Sequence, residues 1–141
     1  MQAPYLDAST IIYLVEGTPD ARGAVANLVA EAEQHAGTRL ITSRLSCLEC
    51  RVKPLREKDL ALVETYDRFF SRAGLTVFEV TRAVIDRATE LRARLGFKTP
   101  DAIHLASAIE ASADLFITGD RAFARFTDLP VRVVSRSSGP P

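Results

Sequence analysis

Short apolar runs alternate along this chain with longer stretches in which apolar residues recur every three or four positions. A short apolar run is typical of a buried strand, whereas the longer spacing is typical of an amphipathic helix. Strands that alternate with helices form parallel sheets with helices on both faces. The pattern therefore predicts one α/β domain over residues 1–135, followed by a disordered tail at 136–141. The strands are predicted near residues 4–6, 39–42, 75–80, 115–118 and 131–134.

One predicted helix has a clear start and stop. Ser43 can cap it, because a serine hydroxyl satisfies the unpaired N–H groups of a first helical turn. It carries the apolar residues Leu45, Leu48 and Val52. It is predicted to stop near Pro54, since proline interrupts helical hydrogen bonding.

Composition narrows the function classes. The chain has 141 residues, of which 47% are hydrophobic, which is enough for one core. It has 18 basic and 18 acidic residues, so a nucleic-acid-binding surface would have to be local. No apolar stretch reaches the roughly 18 residues of a membrane span, and the N-terminus lacks the order of a signal peptide. We expect a soluble cytoplasmic protein with no membrane partner.

The two cysteines, Cys47 and Cys50, have the spacing of a redox or zinc half-site. A structural zinc site needs four ligands, and neither His35 nor His104 stands at zinc-finger spacing from this pair. A thioredoxin-like pair opens a helix after a strand, whereas this pair lies inside a helical pattern. We interpret both cysteines as structural or incidental thiols.

Four acidic residues stand out by their position beside the predicted strands. Asp7 follows the first strand, Glu49 lies on the helix after the second, and Asp120 follows the fourth by two residues. Asp101 lies in the first turn of a helix predicted over residues 101–113, which is apolar nearly all round and therefore central. Ligand sites of open α/β sheets lie beyond the carboxyl ends of the strands, so all four acids can reach one edge.

Each acid also has a simpler structural interpretation. Asp7 and Asp120 can cap the helices that follow them. Asp101 can interact with a helix dipole, and Glu49 can face solvent. If the acids do converge, each pair at 4 Å repels by about 1–4 kcal/mol, which favours a bound proton or cation. Oxygen-only ligands suit Mg²⁺ or Mn²⁺, the ions with which many nucleases work.

Four segments resemble the motifs of PIN-domain ribonucleases, and among these the VapC-type toxins of bacterial and archaeal toxin–antitoxin pairs. They are residues 5–9 (YLDAS), 43–49 (SRLSCLE), 99–106 (TPDAIHLA) and 115–120 (LFITGD). Each segment alone has little specificity, but the four in this order, in a chain of this length, are specific. The resemblance covers nearly the whole chain.

The resemblance implies a three-layer α/β/α sandwich with a five-stranded parallel sheet. It also implies an endoribonuclease that cleaves RNA with Mg²⁺ or Mn²⁺. In such enzymes four acids bind the metal, directly or through water, and activate the attacking water; here they correspond to Asp7, Glu49, Asp101 and Asp120. Ser9 and Thr118 match hydroxyl positions beside the site, where we expect supporting hydrogen bonds. Ser43 is a weaker match ahead of the Glu49 helix.

Several other polar residues have open interpretations. Asp114 is a further acid, which we expect at the far end of the fourth strand. His104 follows Asp101 on the same helix and could face the site, but a buried histidine with satisfied hydrogen bonds is the favoured interpretation. A basic cluster near Glu49 could hold the RNA backbone or form a solvated helix face; its members are Arg44, Arg51, Lys53 and Arg56.

Partners are also implied by the resemblance. A cognate VapB-like antitoxin would fill an apolar groove between the N-terminal helices and the helix predicted over residues 58–73, and a homodimer is expected. One alternative is a non-catalytic PIN-fold module that binds RNA or protein. A second is a phosphotransfer enzyme with Asp7 as nucleophile, which is disfavoured because the haloacid-dehalogenase pattern has an aspartate where Ser9 stands.

Overall fold

The computed structural model describes residues 3–134, and the tail predicted at 136–141 lies outside the described residues. The described strands are β1 (Pro4–Leu6), β2 (Leu40–Ser43), β3 (Leu75–Phe78), β4 (Leu115–Thr118) and β5 (Val131–Val133). The described helices are α1 (Ala8–Glu16), α2 (Pro19–Glu33), α3 (Arg44–Arg56), α4 (Leu60–Phe70), α5 (Arg82–Leu95) and α6 (Thr99–Glu110), and a 3₁₀ helix spans Arg121–Arg125.

The strands form one sheet in the order β3-β2-β1-β4-β5, and every neighbouring pair is parallel. This confirms the predicted five-stranded parallel sheet. The three central strands are fully buried, whereas the edge strands β3 and β5 are partly exposed. Leu6 pairs with Ile117, so β1 and β4 end side by side. Helix α1 begins two residues after β1 ends, and the 3₁₀ helix begins three residues after β4 ends. Both helix N-termini therefore lie at the carboxyl ends of the strands.

The sheet has a hydrophobic layer on each face, as the α/β/α prediction requires. Successive side chains of a strand point to opposite faces. Tyr5 and Phe116 therefore pack in the cluster formed with α5 and α6, while Leu6 and Ile117 pack in the cluster formed with α1 to α4. Helix α6 is buried along most of its length, as its apolar sequence predicts. No helix among residues 3–134 is long and apolar enough to cross a membrane.

The buried face of α3 is formed by small residues and not by its large apolar ones. Leu48 and Val52 are 61% and 48% exposed, whereas the buried face carries Ser46, Cys47 and Cys50. Small side chains let α3 pack closely against α1, and the Cys50 thiol lies 3.9 Å from a backbone carbonyl of that helix. Both cysteines are buried free thiols, and burial raises the pKa of Cys50, so its thiol stays protonated. Their environment agrees with the structural interpretation.

The N-terminus of α3 agrees with the prediction, whereas its C-terminus does not. The Ser43 hydroxyl accepts a hydrogen bond from the Leu45 N–H at 3.1 Å, so Ser43 caps the helix as predicted. The helix continues through Pro54 to Arg56 instead of stopping. Pro54 lies in the last turns, where it removes one helical hydrogen bond and its side chain is buried. Helix α3 therefore presents a longer exposed apolar surface than the sequence pattern predicts.

Candidate active site

A pocket of about 110 Å³ opens at the carboxyl edge of the sheet, beside the ends of β1 and β4. The four acids singled out in the sequence all line it, although they come from separate parts of the chain. Its lining residues are Asp7, Ala8, Ser9, Glu49, Asp101, His104, Asp120 and Phe123. The fold thus brings together the side chains that the strand order placed at one edge.

Asp7 is the most enclosed of the four acids, with 3% of its surface exposed. Its Oδ1 accepts hydrogen bonds from the Ser9 hydroxyl at 2.7 Å and from the Thr10 N–H at 3.0 Å. The Thr10 hydroxyl lies 2.9 Å from the same oxygen, and the Thr118 hydroxyl donates to Oδ2 at 2.5 Å. Asp7 also caps α1, so its carboxylate lies at the positive end of a helix dipole. These donors replace the water that burial removes.

Ser9 and Thr118 connect the ends of β1 and β4 through their hydroxyl groups. Besides donating to Asp7, the Ser9 Oγ accepts from the Gly119 N–H at 2.9 Å, and the Thr118 Oγ1 accepts from the Asp120 N–H at 3.0 Å. A Cβ at Gly119 would lie 2.4 Å from the Tyr13 ring, so this close approach needs glycine or a shifted ring. The two hydroxyls make the supporting contacts expected of them.

Asp101 and Asp120 lie on the open side of the pocket. Asp101 is partly exposed in the first turn of α6, and Asp120 is exposed and caps the 3₁₀ helix through the Ala122 N–H at 2.9 Å. Burial raises the pKa of Asp101 above its ordinary value, and the negative charge of Asp120 raises it further. The charges of Asp101 and Asp120 therefore interact unfavourably at this part of the pocket.

Glu49 reaches the pocket from α3 and contacts a histidine. Its Oε1 lies 2.6 Å from His104 Nε2, and His104 Nδ1 lies 2.6 Å from the Tyr5 hydroxyl. His104 is buried and uses both ring nitrogens, so the interpretation of a satisfied histidine agrees with the structure. It also lines the pocket, which that interpretation alone did not anticipate.

Other candidates lie away from the pocket. Asp114 precedes β4 at the opposite edge of the sheet, where its Oδ1 accepts from the Ala3 N–H at 3.1 Å. Ser43 caps α3 and does not line the pocket. Arg44 forms an ion pair with Glu79, and Arg51 forms one with Asp67; these four residues are substantially exposed.

The chemistry of the lining fits a hard divalent cation. Among residues 3–134, no three His, Cys, Asp or Glu side chains stand close enough together to hold a metal ion directly. Mg²⁺, however, keeps several of its waters and takes few direct protein ligands. Four carboxylates around one small pocket supply the oxygen donors that Mg²⁺ and Mn²⁺ prefer. The pKa of Asp101 is raised first by burial and then by the charge of Asp120, and a bound cation would favour the ionised forms of both carboxyls.

The family model of the PIN domain matches residues 5–129, which is most of the chain. The chain belongs to the PIN domain family. No match was found among curated protein sequences. The matched region contains all eight residues that line the pocket.

Solved structures of toxin–antitoxin proteins share the fold of this PIN domain. VapBC2 of Rickettsia felis, bound to a promoter DNA fragment, matches with a TM-score of 0.77 at 17% identity and covers 94% of this chain and 99% of its own. VapBC-1 of Haemophilus influenzae matches with 0.74 at 18%, covering 93% and 97%. VapC20 of Mycobacterium tuberculosis, a toxin that cleaves the sarcin–ricin loop, matches with 0.68 at 17%, covering 90% and 98%.

Sequence reasoning missed one residue of this PIN domain's pocket environment and undervalued another. Thr10 donates to Asp7 with its backbone, and its hydroxyl lies within hydrogen-bond distance of both Asp7 and the Ile117 carbonyl. Its position three residues after a capping aspartate was a usable signal, because that N–H is the usual partner of a cap. The role of His104 had no such signal, since its contacts come from β1 and α3.

Proposed function

We propose that this PIN domain is a metal-dependent endoribonuclease that acts in the cytoplasm as the toxin of a VapBC-type pair. One observation carries the proposal: four carboxylates from distant parts of the chain line one pocket at the carboxyl edge of the sheet. The shared fold with a toxin that cleaves the sarcin–ricin loop supports RNA as the substrate. The substrate bond is a phosphodiester, which is cleaved by hydrolysis.

Asp7, Asp101, Asp120 and Glu49 would hold Mg²⁺ or Mn²⁺ at this pocket. When bound, the ion polarises the phosphate, makes water a better nucleophile and stabilises the leaving oxygen. The protein's own contribution is orientation. Asp7 is fixed by donors on both oxygens, so it enters the reaction already desolvated and in one position. Thr118 links that carboxylate to the backbone of Asp120 and thereby fixes two acids relative to each other.

The direct test replaces Asp7 or Asp101 by asparagine, which keeps size and polarity but removes charge. Asparagine is also a good helix cap, so Asp7→Asn should keep the start of α1. Both variants should lose metal-dependent RNA cleavage by about a hundredfold or more, the scale on which preorganised electrostatic groups act. Cleavage is measured with purified protein and single-stranded RNA at varied Mg²⁺ and Mn²⁺, alongside thermal unfolding.

Asp20→Asn is the matched control, since Asp20 is an exposed acid in the first turn of α2. It should cleave RNA as the wild type does. Undiminished cleavage by both folded pocket variants would reject the mechanism. If the folded wild-type protein showed no metal-dependent turnover under any of these conditions, the result would favour the non-catalytic PIN module instead.

The basic residues near Glu49 are proposed to hold the RNA backbone. Arg44 and Arg51 already form ion pairs, at 2.7 and 3.1 Å, but exposed pairs contribute only about 0–1 kcal/mol. An RNA phosphate can therefore replace Glu79 or Asp67 at little cost. Arg44→Gln and Arg51→Gln should raise the KM for RNA and weaken its salt dependence. An unchanged KM in both variants would assign these arginines to the solvated surface.

We propose an antitoxin of the VapB type as a partner, because structural neighbours are VapBC complexes. A groove of about 310 Å³ on α1 and the start of α2, lined in part by Ile12 and Ala21, suits an apolar segment. Helix α4 stands beside it, since the Tyr66 hydroxyl donates to Glu16 of α1. Ile12→Lys should prevent copurification with the antitoxin encoded beside this chain; retained binding by the folded variant would exclude the groove.

A homodimer is the second proposed partner state. Its support is an exposed apolar surface on α3 and the start of α4, formed by Leu48, Val52, Leu55 and Leu60. Exposed apolar surfaces of this kind are typical of protein contacts. Leu48→Asp combined with Leu55→Asp should give a folded monomer in sedimentation velocity, while the wild type sediments as a dimer. Equal masses for the two proteins would contradict this interface.

A further inference from the structure

Two buried residues connect Glu49 to the centre of the sheet. Tyr5 lies on β1, is fully buried and stacks on Phe116, with 5.1 Å between the ring centroids. Its hydroxyl lies 2.6 Å from His104 Nδ1, and His104 Nε2 lies 2.6 Å from Glu49 Oε1. The connection runs from a central strand through α6 to α3, so it joins both helical layers of the fold.

The chemistry of the three groups fits a continuous chain of hydrogen bonds. An ionised carboxylate only accepts hydrogen bonds, so its contact with His104 Nε2 requires a proton on Nε2. The Tyr5 hydroxyl can donate to His104 Nδ1 or accept from it, so it satisfies the second ring nitrogen in either case. The imidazole ring is therefore held at both of its nitrogens.

We propose that Tyr5 and His104 are positioning residues that hold the Glu49 carboxylate in the acid-lined pocket through the contact between His104 Nε2 and Glu49 Oε1. The inference rests on the proposed function, in which Glu49 helps to hold the metal ion. Neither residue touches the RNA or the ion in this scheme. Their effect is on the orientation of Glu49.

Glu49 needs such support more than the other acids do. Its side chain is long, 31% exposed and carried by the middle of a helix, whereas Asp7 is short and enclosed by donors. A hydrogen bond from His104 to Oε1 fixes the carboxylate plane and leaves Oε2 as the oxygen available to a ligand. His104 is itself held by burial in α6 and by an edge-on contact with the Tyr5 ring, at 5.9 Å between centroids.

The first measurement needs neither metal nor RNA. The chain has two histidines, His35 and His104, so the imidazole ¹⁵N resonances of the uniformly labelled protein are readily assigned. His35 is exposed and supplies the internal reference for a solvated ring. In metal-free wild-type protein, His104 Nε2 should carry a proton that is hydrogen-bonded to Glu49. A His104 ring without a proton on Nε2 would overturn the proposal.

Two variants of His104 test its contact with Glu49 separately from its contact with Tyr5. The amide nitrogen of His104→Gln can reach the place of Nε2 and still donate to Glu49, while the carbonyl oxygen of His104→Asn can reach the place of Nδ1 and still accept from Tyr5. Mn²⁺ affinity should fall by about 10–100-fold in His104→Asn, as is typical when a partner of a metal ligand is lost. In His104→Gln it should stay within roughly threefold of the wild type, below that range.

Tyr5→Phe and His35→Asn complete the set. Tyr5→Phe keeps the stack on Phe116 but removes the hydroxyl, so the His104 ring should lose its fixed orientation and its Nε2–H resonance should broaden. His35→Asn should leave the His104 resonances and the Mn²⁺ affinity unchanged. Equal losses of Mn²⁺ affinity in the asparagine and glutamine variants of His104, or no loss in either, would leave His104 a packing residue and overturn the proposal.

If the wild type binds Mn²⁺ but does not cleave RNA, the nuclease proposal fails, while the Nε2–H resonance and the Mn²⁺ affinities still decide the positioning role. If the wild type does cleave RNA, the His104→Asn variant should lower kcat with little change in the KM for RNA, because RNA contacts are untouched. A change confined to KM would contradict a role through Glu49.

Discussion

The two sides of the acid-lined pocket differ in how they accommodate negative charge. On one side Asp7 is buried and receives donors from Ser9, Thr10 and Thr118. On the other side Asp101 is partly exposed, and its pKa is raised by burial and by its neighbour Asp120. The protein itself stabilises the first carboxylate, whereas the second lacks comparable compensation.

The difference separates stability from function within one site. Asp7 is part of the architecture, because it caps α1 and accepts hydrogen bonds from the hydroxyl groups of Ser9 on α1 and Thr118 on β4. The charge of Asp120 disfavours ionised Asp101, and Lys98 and His104 offset this only in part. Removing a charge should therefore harm the fold on the Asp7 side and help it on the Asp101 side.

The largest effect is expected for Asp7→Ala. It removes a helix cap and leaves buried hydroxyl groups without their acceptor, so the free energy of unfolding should fall by about 3 kcal/mol. Urea denaturation followed by circular dichroism measures this. Asp20→Ala, at an exposed acid in the first turn of α2, is the control and should cost less than about 1 kcal/mol. Equal losses in the two variants would mean that Asp7 has no special structural role.

Binding of Mn²⁺ on the Asp101 side should raise the free energy of unfolding. At a concentration about 100 times its Kd, the ion should stabilise the wild-type protein by about 2.7 kcal/mol through mass action. Asp101→Asn should lose most of this gain, because one ligand oxygen and one charge are missing. Thermal unfolding with EDTA and with increasing Mn²⁺ measures both. A variant that gains as much as the wild type would show that the ion binds elsewhere.

Thr118→Val tests the bridge between the two sides. The substitution keeps the shape of the side chain but leaves Asp7 Oδ2 and the Asp120 N–H without a partner. The free energy of unfolding should fall by about 1–2 kcal/mol, as is usual for unsatisfied buried polar groups. Thr89→Val is the control, since the exposed Thr89 hydroxyl bonds only its own helix. A loss no larger than that of the control would argue against the bridge.

The sheet was predictable because its signals are local. Short apolar runs, a capping Ser43 and the apolar sequence of α6 each act within a few residues, and the structure agrees with all of them. Parallel strands then fix the site by topology, since their carboxyl ends share one edge. Asp7 shows that two interpretations can both hold, because a strand that leads into a helix makes the capping position and the pocket the same place.

The buried face of α3 and the contacts of His104 could not be predicted from the sequence, because they depend on tertiary structure. Leu48 and Val52 are large and apolar, but close packing of α3 on α1 selected the small residues on another face. The contact between His104 and Glu49 joins residues 55 positions apart, and the contact with Tyr5 joins residues 99 apart. No periodicity or spacing encodes such pairs, which depend on how the helical layers meet at the sheet edge.

The smallest effect is expected for Asp101→Asn in the absence of metal. Because the pKa of Asp101 is raised in the folded protein, the folded state binds more protons than the unfolded state above roughly pH 4, the ordinary range of an aspartate. Stability must then fall as the pH rises through the folded-state pKa. The asparagine variant lacks this fall, so at neutral pH with EDTA it should be more stable by about 0.5 kcal/mol, the size of an exposed charge interaction.

Asp120→Asn, which removes the repelling neighbour but not the burial, should reduce the fall only in part. Urea denaturation between pH 4 and pH 8 measures all three proteins, and an Asp101→Asn variant that loses stability with the wild-type slope would contradict the raised pKa of Asp101.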